Sequence, residues 1–375
     1  MHIGIDGRTL LNPLTGIGRY TYEVSKALLG ITGVQESLYA PAAIDMKLQQ
    51  GLEHAEIKVG RSRNRLAKMV WSQTQLPRWA NEDSIDLFWG PTHRLPRFLN
   101  HSIPRVLTIH DLVWKEVPHT MRPLSLVVEK WLMPEAIHLA DLVMADSQST
   151  AEGISHYFPQ AAHKVRIVHL GASKLLTAGA DPSLDAFGIT KPYFLFVGTI
   201  EPRKNIERLL QAFAALPSFY RDQFLLVIAG GKGWGRLDLE YLINQNQLRD
   251  CVFSLGFIDD EKLACLYSNA RFLAMPSLYE GFGLPLLEAM NHGVPILTSQ
   301  SGSMPEVAGN AAILVDPLSV TSISRALERL LSDDALIALL KKHALTRAKD
   351  FSWKKCAEQA MVVFEEAIAL HQSGL

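Results

Sequence analysis

The chain has 375 residues, and its 37 Lys and Arg residues nearly balance 38 Asp and Glu residues, giving a formal net charge of −1. Hydrophobic residues make up 48% and charged residues 20%, a globular composition that excludes a mostly disordered chain. The length favours two domains, and the near-neutral charge gives no sign of nucleic-acid binding.

The sequence has no pattern typical of a membrane span, a signal peptide, a disulfide framework or a cysteine metal site. No apolar run approaches the roughly 18 residues of a membrane span. The opening MHIGIDGR does not have the basic region and apolar stretch of a signal peptide. Cys251, Cys265 and Cys356 are too few and too scattered for a disulfide framework or a metal site. We therefore expect a reduced, cytoplasmic protein.

The first half of the chain alternates apolar runs with helical patterns. An apolar run at 3–5, a glycine-containing loop at 14–18 and a helical pattern over 19–29 open an α/β unit. Further buried parallel strands are predicted at 86–89, 105–109, 141–145 and 165–168, with a helix over 124–139.

A stretch rich in Gly, Pro, Ala and Asp at 175–192 predicts a linker, after which the α/β pattern starts again. The predicted strands are 193–197, 224–229, 252–254, 272–275, 295–298 and 312–315. The predicted helices are 206–215, 237–246 and 353–371. We therefore expect the whole chain to form two α/β domains. Ligands of parallel sheets of this kind bind at the carboxyl ends of the strands.

The segment SLYEGFGLPLLEAM at 277–290 carries the strongest chemical signal. Gly281 and Gly283 permit a close backbone approach, and a helix beginning near Pro285 favours an anion such as phosphate. Glu280 and Glu288 lie on either side of this turn and can accept hydrogen bonds from the hydroxyls of one ligand. A simple Gly/Pro loop with a solvated helix glutamate fits the same spacing.

A second segment, VGTIEPRKN at 197–205, follows a predicted strand. Arg203 and Lys204 place two cations at the carboxyl end of that strand, where they would neutralise a diphosphate without a metal. A solvated surface pair is the alternative.

Weaker signals lie in the first half. The loop Gly16-Ile17-Gly18 also fits a plain turn, and His110 follows a strand but also fits a structural role. Ser147 or Ser149 is a candidate helix N-cap.

The stretch 58–78 is basic and has no acidic residue. Its cations alternate with tryptophans and aliphatic residues, a pattern that suits an anionic membrane surface. Nucleic acid and a solvated basic helix remain alternatives. The residues assigned to this membrane-side face are Arg61, Arg63, Arg65, Lys68 and Trp71.

Together, the segments VGTIEPRKN, SLYEGFGLPLLEAM, TIHDL and TGIGRY resemble glycosyltransferase family 4, the retaining enzymes with the GT-B fold. The resemblance covers nearly the whole chain in the family's order. It implies two Rossmann-like domains facing a cleft: an acceptor-binding domain over 1–183 and a nucleotide-sugar-binding domain over 184–352. The segment 353–375 would be a helix that packs back on the N-terminal domain.

The resemblance also implies site roles. Arg203 and Lys204 match the pair that holds the donor diphosphate. Glu280 matches the carboxylate near the sugar hydroxyls, and Glu288 matches the one that holds the ribose. His110 matches the histidine beside the reacting face of the sugar. The other donor contacts carried over are Gly16, Gly18, Gly198, Phe257, Ile258, Gly281, Phe282, Gly283 and Leu284, with Glu306 as a weaker match.

No carboxylate stands out as a nucleophile, and the resemblance implies front-face substitution, in which the leaving diphosphate helps to deprotonate the acceptor hydroxyl. It also implies no cofactor and no metal, since no matching metal motif is present. The expected partners are a nucleotide-diphosphate sugar and a lipid-linked glycan at the cytoplasmic face of the inner membrane.

The N-terminal segments are most like enzymes of bacterial O-antigen synthesis, which favours mannose transfer from GDP-mannose. Other readings remain open: a UDP-sugar donor, an epimerase or phosphorylase of the same architecture, or a non-catalytic nucleotide-sugar-binding subunit.

Overall fold

The computed structural model describes residues 1–11, 16–62, 64–172, 175, 184–235 and 237–373. The chain divides into two compact units. The first comprises Met1–Leu112, Val127–Gly171 and Ser352–Leu375, and the second comprises Val113–Leu126 and Ala172–Phe351. The predicted linker at 175–192 lies partly outside the described residues, at 176–183. Composition can indicate a linker between two domains. It gives no indication that Val113–Leu126, a segment from the first half of the chain, belongs to the second unit.

The described residues of the first unit contain a seven-stranded parallel sheet. Its strands are β1 (His2–Asp6), β2 (Gln35–Ala40), β3 (Glu56–Val59), β4 (Leu87–Gly90), β5 (Arg105–Ile109), β6 (Leu142–Ala145) and β7 (Val165–Ile167). The strand order is β3-β2-β1-β4-β5-β6-β7. Every residue of β4, β5 and β6 is buried, as expected for strands covered on both faces.

Helices connect these strands. They are α1 (Gly16–Leu29), α2 (Met46–Gln50), α3 (Arg65–Gln73), α4 (Gln75–Glu82), α5 (Val113–Glu116), α6 (Pro123–Leu139) and α7 (Gln148–Tyr157). Ser147 is the N-cap of α7, because its hydroxyl accepts a hydrogen bond from the backbone N–H of Thr150.

The described residues of the second unit contain a six-stranded parallel sheet. Its strands are β8 (Tyr193–Val197), β9 (Leu225–Ala229), β10 (Val252–Gly256), β11 (Leu273–Met275), β12 (Ile296–Ser299) and β13 (Ala312–Val315). The order β10-β9-β8-β11-β12-β13 places β8 beside β11. Two strands that are far apart in sequence therefore end at the same edge of the sheet.

The remaining helices follow in chain order. They are α8 (Ile206–Ala214), α9 (Ser218–Gln223), α10 (Leu239–Gln245), α11 (Asp260–Asn269), α12 (Leu284–Asn291), α13 (Met304–Ala308), α14 (Val320–Ser332), α15 (Asp334–Ala348) and α16 (Trp353–Ser373). Helix α16 packs against α1, β5 and β6 of the first unit, and Glu366 on it forms an ion pair with Arg166. Within the described ranges, no helix combines the length and the hydrophobicity needed to cross a membrane.

The predicted strands at 105–109, 193–197 and 312–315 match the structure to the residue. Strands β2 and β3 were not predicted, because QESLYA and EIKV interrupt the apolar pattern with charged residues. Their pairing with β1 and with each other overrides that weak local signal.

Candidate active site

Two segments that contain charged candidate site residues meet at the carboxyl ends of β8 and β11. Arg203 and Lys204 lie in the turn that follows β8, and Glu280 lies in the loop that follows β11. Because β8 and β11 are parallel neighbours, both segments leave the sheet at the same edge. The two strongest motifs of the sequence therefore form one cluster.

Glu280 is the centre of this cluster. Its Oε1 accepts a hydrogen bond from Lys204 Nζ at 2.7 Å, and its Oε2 pairs with Arg203 Nη1. Arg203 also donates from Nη1 to the carbonyl oxygen of Tyr279 at 3.0 Å and from Nη2 to Glu201 Oε1 at 2.8 Å. Two cations and two carboxylates thus stand together, and the cluster is formally neutral.

Opposing effects set the pKa of Glu280. Its burial alone would raise the pKa, but the charges of Arg203 and Lys204 outweigh that effect and lower it to about 2. Glu280 is 5% exposed and Lys204 is 8% exposed. The carboxylate is therefore ionised at neutral pH, and it holds both cations in place.

Asn205 links the two segments, a role that the sequence analysis did not assign to it. It adopts a left-handed backbone conformation, with φ +58°. Its side-chain amide donates to the carbonyl oxygens of Pro276 at 2.9 Å and Pro317 at 2.7 Å. Asparagine tolerates this conformation better than most residues. An asparagine directly after a basic pair at a strand end was the available signal.

Gly198 makes room for Lys204. Its φ of +142° disfavours other residues, and a Cβ there would lie 3.4 Å from Lys204 Cε. The predicted role of Gly198 as the start of the loop with the basic pair is therefore consistent with its backbone.

The glycine-rich turn leads directly into α12. Gly283 precedes the helix with φ +95°, and Leu284 is the first helical residue. Ser303 Oγ lies 3.0 Å from the carbonyl oxygens of both Glu280 and Phe282, which fixes the turn. The positive end of the α12 dipole consequently lies beside the Glu280 cluster.

Glu288 lies on α12 and is 8% exposed. The phenol of Tyr267 on α11 donates a hydrogen bond to Glu288 Oε2 at 2.9 Å. Tyr267 is a second contact that sequence reasoning missed, since it lies inside an ordinary helical pattern. Phe257 follows β10 and is 76% exposed, and Ile258 beside it is half-buried. Glu306 lies in the first turn of α13.

In the first unit, His110 follows β5 and is buried. Its Nδ1 lies 2.6 Å from Asp146 Oδ2, and its Nε2 lies 2.8 Å from the carbonyl oxygen of Pro91. Burial lowers the pKa of His110, but the charge of Asp146 and its hydrogen bond outweigh burial and raise the pKa overall. An acceptor at each nitrogen and the raised pKa both favour the imidazolium form of the ring. Gly16 begins α1 and Gly18 is buried within it, so the expectation that these two glycines lie in a loop before the helix is wrong.

The basic stretch is divided by the fold. Lys58 lies in β3 and pairs with Asp83, and Arg78 pairs with Glu82 at 2.9 Å. Trp71 is 3% exposed and packs edge-on against Trp79, with ring centroids 6.3 Å apart. The expectation that Trp71 faces a membrane is therefore wrong.

Other residues of the stretch do form a surface. Leu66, Met69 and Val70 on α3 are 71%, 50% and 55% exposed, and their spacing places them on one helix face. Arg61 is exposed and Lys68 is half-buried. Arg63 lies outside the described residues, and so does the side chain of Arg65.

The geometry supports anion binding more directly than acid–base chemistry. The second unit offers two cations and a helix N-terminus, together with Glu280 and Glu288 as acceptors for hydroxyls. Such a set binds a phosphorylated, hydroxyl-rich ligand. Among the described residues, no group of three or more His, Cys, Asp and Glu side chains is placed to hold a metal ion.

Family profiles match both halves of the chain. The profile described as "Glycosyltransferase Family 4" matches residues 14–173, and "Glycosyl transferases group 1" matches residues 185–347. Among curated proteins, the chain is 33% identical to O-antigen chain mannosyltransferase B of Escherichia coli over 94% of this chain and 96% of that protein.

Solved structures show the same fold. Sucrose-phosphate synthase from Thermosynechococcus elongatus superposes with a TM-score of 0.77 and 21% identity, covering 98% of this chain and 99% of that one. Anabaena HepE in complex with UDP and glucose gives a TM-score of 0.74 and 19% identity, covering 97% of this chain and 99% of that one. The likeness supports the predicted α/β fold class, with two Rossmann-like domains of the GT-B type.

Proposed function

This chain belongs to glycosyltransferase family 4, and from that premise we propose that it transfers mannose from GDP-mannose to a hydroxyl of a lipid-linked glycan during O-antigen synthesis. The cluster of Arg203, Lys204 and Glu280 carries the proposal, because it provides charges of both signs beside a helix N-terminus. The similarity to an O-antigen mannosyltransferase along almost the whole chain supports the choice of sugar and product.

In the proposed reaction the anomeric configuration is retained. The acceptor oxygen bonds to the anomeric carbon on the face from which the diphosphate departs, and the acceptor proton passes to a departing phosphate oxygen. Negative charge accumulates on the diphosphate as its bond to the sugar breaks. Arg203, Lys204 and the N-terminus of α12 stabilise that charge, because they are already in place before the reaction.

The remaining site residues orient the donor in this proposal. Glu288 accepts hydrogen bonds from the ribose, Phe257 and Ile258 contact the base, and the backbone of 281–284 contacts the sugar and phosphate. Imidazolium His110 contributes a fixed positive charge at the carboxyl end of β5, since both of its nitrogens already have acceptors.

We also propose that the first unit contacts the cytoplasmic face of the inner membrane, where the lipid-linked acceptor is anchored. Arg61 and Lys68 lie beside the exposed apolar residues of α3 in the sequence. Each cation near an anionic surface contributes about 1 kcal/mol. Replacing Arg61, Arg63, Arg65 and Lys68 with Gln should weaken binding to anionic vesicles. Unchanged binding would contradict the membrane assignment.

Transfer assays with Arg203→Ala and Lys204→Ala test the diphosphate role. Each variant should lose about 100-fold or more in transfer rate, the scale seen when one preorganised donor is removed from a charge-stabilising site. Lys341→Ala on α15 is a matched control, since Lys341 is exposed. Wild-type turnover in both Arg203→Ala and Lys204→Ala would refute the role.

A donor panel tests the sugar. GDP-mannose, UDP-glucose, UDP-galactose and UDP-N-acetylglucosamine are compared by thermal shift and then by transfer to a lipid-linked acceptor. A donor at 100 times its Kd stabilises the protein by about 2.7 kcal/mol, which is readily measured. Stabilisation by a UDP-sugar alone would replace the proposed donor, and donor binding without any transfer would favour a non-catalytic role.

A further inference from the structure

Tyr267 is buried beside the nucleotide-site residue Glu288. Its side chain is 0% exposed, so its phenol is not positioned to touch a ligand in solution. The phenol oxygen lies 2.9 Å from Glu288 Oε2 and 3.4 Å from the carbonyl oxygen of Pro285. A phenol has one proton, and the shorter distance assigns that proton to the carboxylate.

The Tyr267 ring is itself held rigidly. It stacks on the ring of His292, with centroids 5.6 Å apart and an interplanar angle of 22°. His292 Nδ1 in turn lies 3.0 Å from Ser268 Oγ. Tyr267 and Ser268 lie on α11, and Glu288 lies on α12. The phenol therefore links two helices and presents its proton from a fixed position.

A carboxylate that accepts hydrogen bonds from two adjacent hydroxyls needs a fixed plane. The terminal torsion angle of glutamate has a broad distribution unless another contact restricts it. A buried hydrogen bond to one carboxylate oxygen restricts that torsion. Such a bond to a charged group contributes more than one between neutral groups.

We propose that Tyr267 is a positioning residue of the nucleotide site: its phenol fixes Oε2 of Glu288 and so sets the plane in which this carboxylate meets the ribose hydroxyls. The inference rests on the proposed function, in which Glu288 holds the ribose. It adds a residue from α11 that acts only through Glu288.

The test compares two ligands that differ only at the ribose. Calorimetry gives the Kd of GDP and of 2′,3′-dideoxyGDP, with UDP and its dideoxy form run in parallel. The wild type should prefer the ribose form by about 10- to 100-fold, the range of a charge-assisted hydrogen bond. Tyr267→Phe should weaken GDP binding about fivefold to tenfold and leave dideoxyGDP binding unchanged.

Tyr193→Phe is the matched control. Tyr193 is also buried in the second unit, and its phenol donates to the carbonyl oxygen of Leu266 at 2.7 Å, so its loss removes a comparable hydrogen bond that does not reach Glu288. Its preference for ribose should equal that of the wild type. Glu288→Ala should abolish the preference.

The outcomes separate the two claims. If Glu288→Ala keeps the wild-type preference, the ribose role of Glu288 is wrong, and the role of Tyr267 is wrong with it. If Glu288→Ala loses the preference while Tyr267→Phe keeps it, only the Tyr267 inference is overturned. An equal weakening of both ligands by Tyr267→Phe also overturns it, because a purely structural defect would not distinguish them.

Discussion

Lys204 Nζ lies 2.7 Å from Glu280 Oε1, and both side chains are buried. The cation assigned to the donor diphosphate is thus paired with the carboxylate assigned to the donor sugar. Glu280 thus places a negative charge against the two cations that are assigned to the diphosphate. Donor binding must therefore place further negative charge against a cluster that is already neutral.

This arrangement predicts that Glu280→Gln has opposite effects on the affinity for GDP and on the rate of sugar transfer. GDP should bind several-fold tighter, because the positive charge of Arg203 and Lys204 is less compensated. Transfer from GDP-mannose should fall about 10- to 100-fold, since a charge-assisted hydrogen bond to the sugar is lost. Calorimetry with GDP and a transfer assay measure the two effects separately.

Glu201→Gln is the comparison variant for this prediction. Glu201 pairs with Arg203 at 2.8 Å but has no assigned contact with the sugar. Its loss should raise the affinity for GDP while transfer stays within a few-fold of wild type. If Glu280→Gln weakens GDP and GDP-mannose equally, Glu280 only supports the loop.

The segments of this cluster were identified from local residues, but only the family resemblance placed them in one donor site. Arg203 and Lys204 follow an apolar run, and Glu280 lies in a contiguous Gly/Pro motif. Both segments can therefore be recognised from the local sequence. The strand order that places β8 beside β11 depends on packing of the whole sheet. Tyr267 carries no local signal, because its partner Glu288 lies on a different helix.

Trp71 illustrates a different limit of sequence reasoning. An aromatic residue among cations suits a membrane surface, and α3 does expose Leu66, Met69 and Val70. Trp71 lies next to Val70 in α3 but is buried against Trp79. Which face of a mixed helix is buried depended on that tertiary contact.

The imidazolium of His110 predicts a pH-dependent stability. The pKa of His110 is raised, because Asp146 outweighs the effect of burial. The pair's contribution is then complete below about pH 6.5, the ordinary histidine value, and it is lost as the pH rises through the folded-state pKa. Asp146→Asn should cost roughly 3 kcal/mol below pH 6 and less above it, as measured by urea unfolding from pH 5.5 to 9.

The double variant His110→Gln/Asp146→Asn controls for neighbouring charges. His93 and Asp111 lie beside the imidazole, and Tyr20 and Cys356 lie in the same buried region. Adding Asp146→Asn to His110→Gln should cost much less than it does in the wild type, and by an amount independent of pH. A pH-independent loss in the single Asp146→Asn variant would show that the pair is not charged.

The exposed face of α3 gives a prediction about membrane binding. Changing Leu66, Met69 and Val70 together to Ser should weaken binding to anionic vesicles at least tenfold, because insertion of an apolar side chain contributes about 1.5–3 kcal/mol. Vesicle sedimentation measures the change. Leu339→Ser with Leu345→Ser on α15 is a suitable control, since these side chains are 49% and 51% exposed. Equal losses in both sets would mean that the vesicle contact is not specific to α3.

Glu36 on β2 gives a prediction about stability at alkaline pH. It is 2% exposed, and within the described part of the chain neither carboxyl oxygen makes a well-formed hydrogen bond, although the nearby Ser25 hydroxyl offsets part of the effect of burial on its pKa. Burial raises the pKa of Glu36 well above the ordinary value, so the contribution of this group to stability is complete below about pH 4.3 and is lost as the pH rises through the folded-state pKa. Glu36→Met should therefore stabilise the protein by about 1–3 kcal/mol at pH 8 and by much less at pH 5, as measured by urea unfolding. The exposed Glu53→Met should show no such difference, and destabilisation by Glu36→Met at both pH values would mean that the carboxyl group is satisfied in the fold.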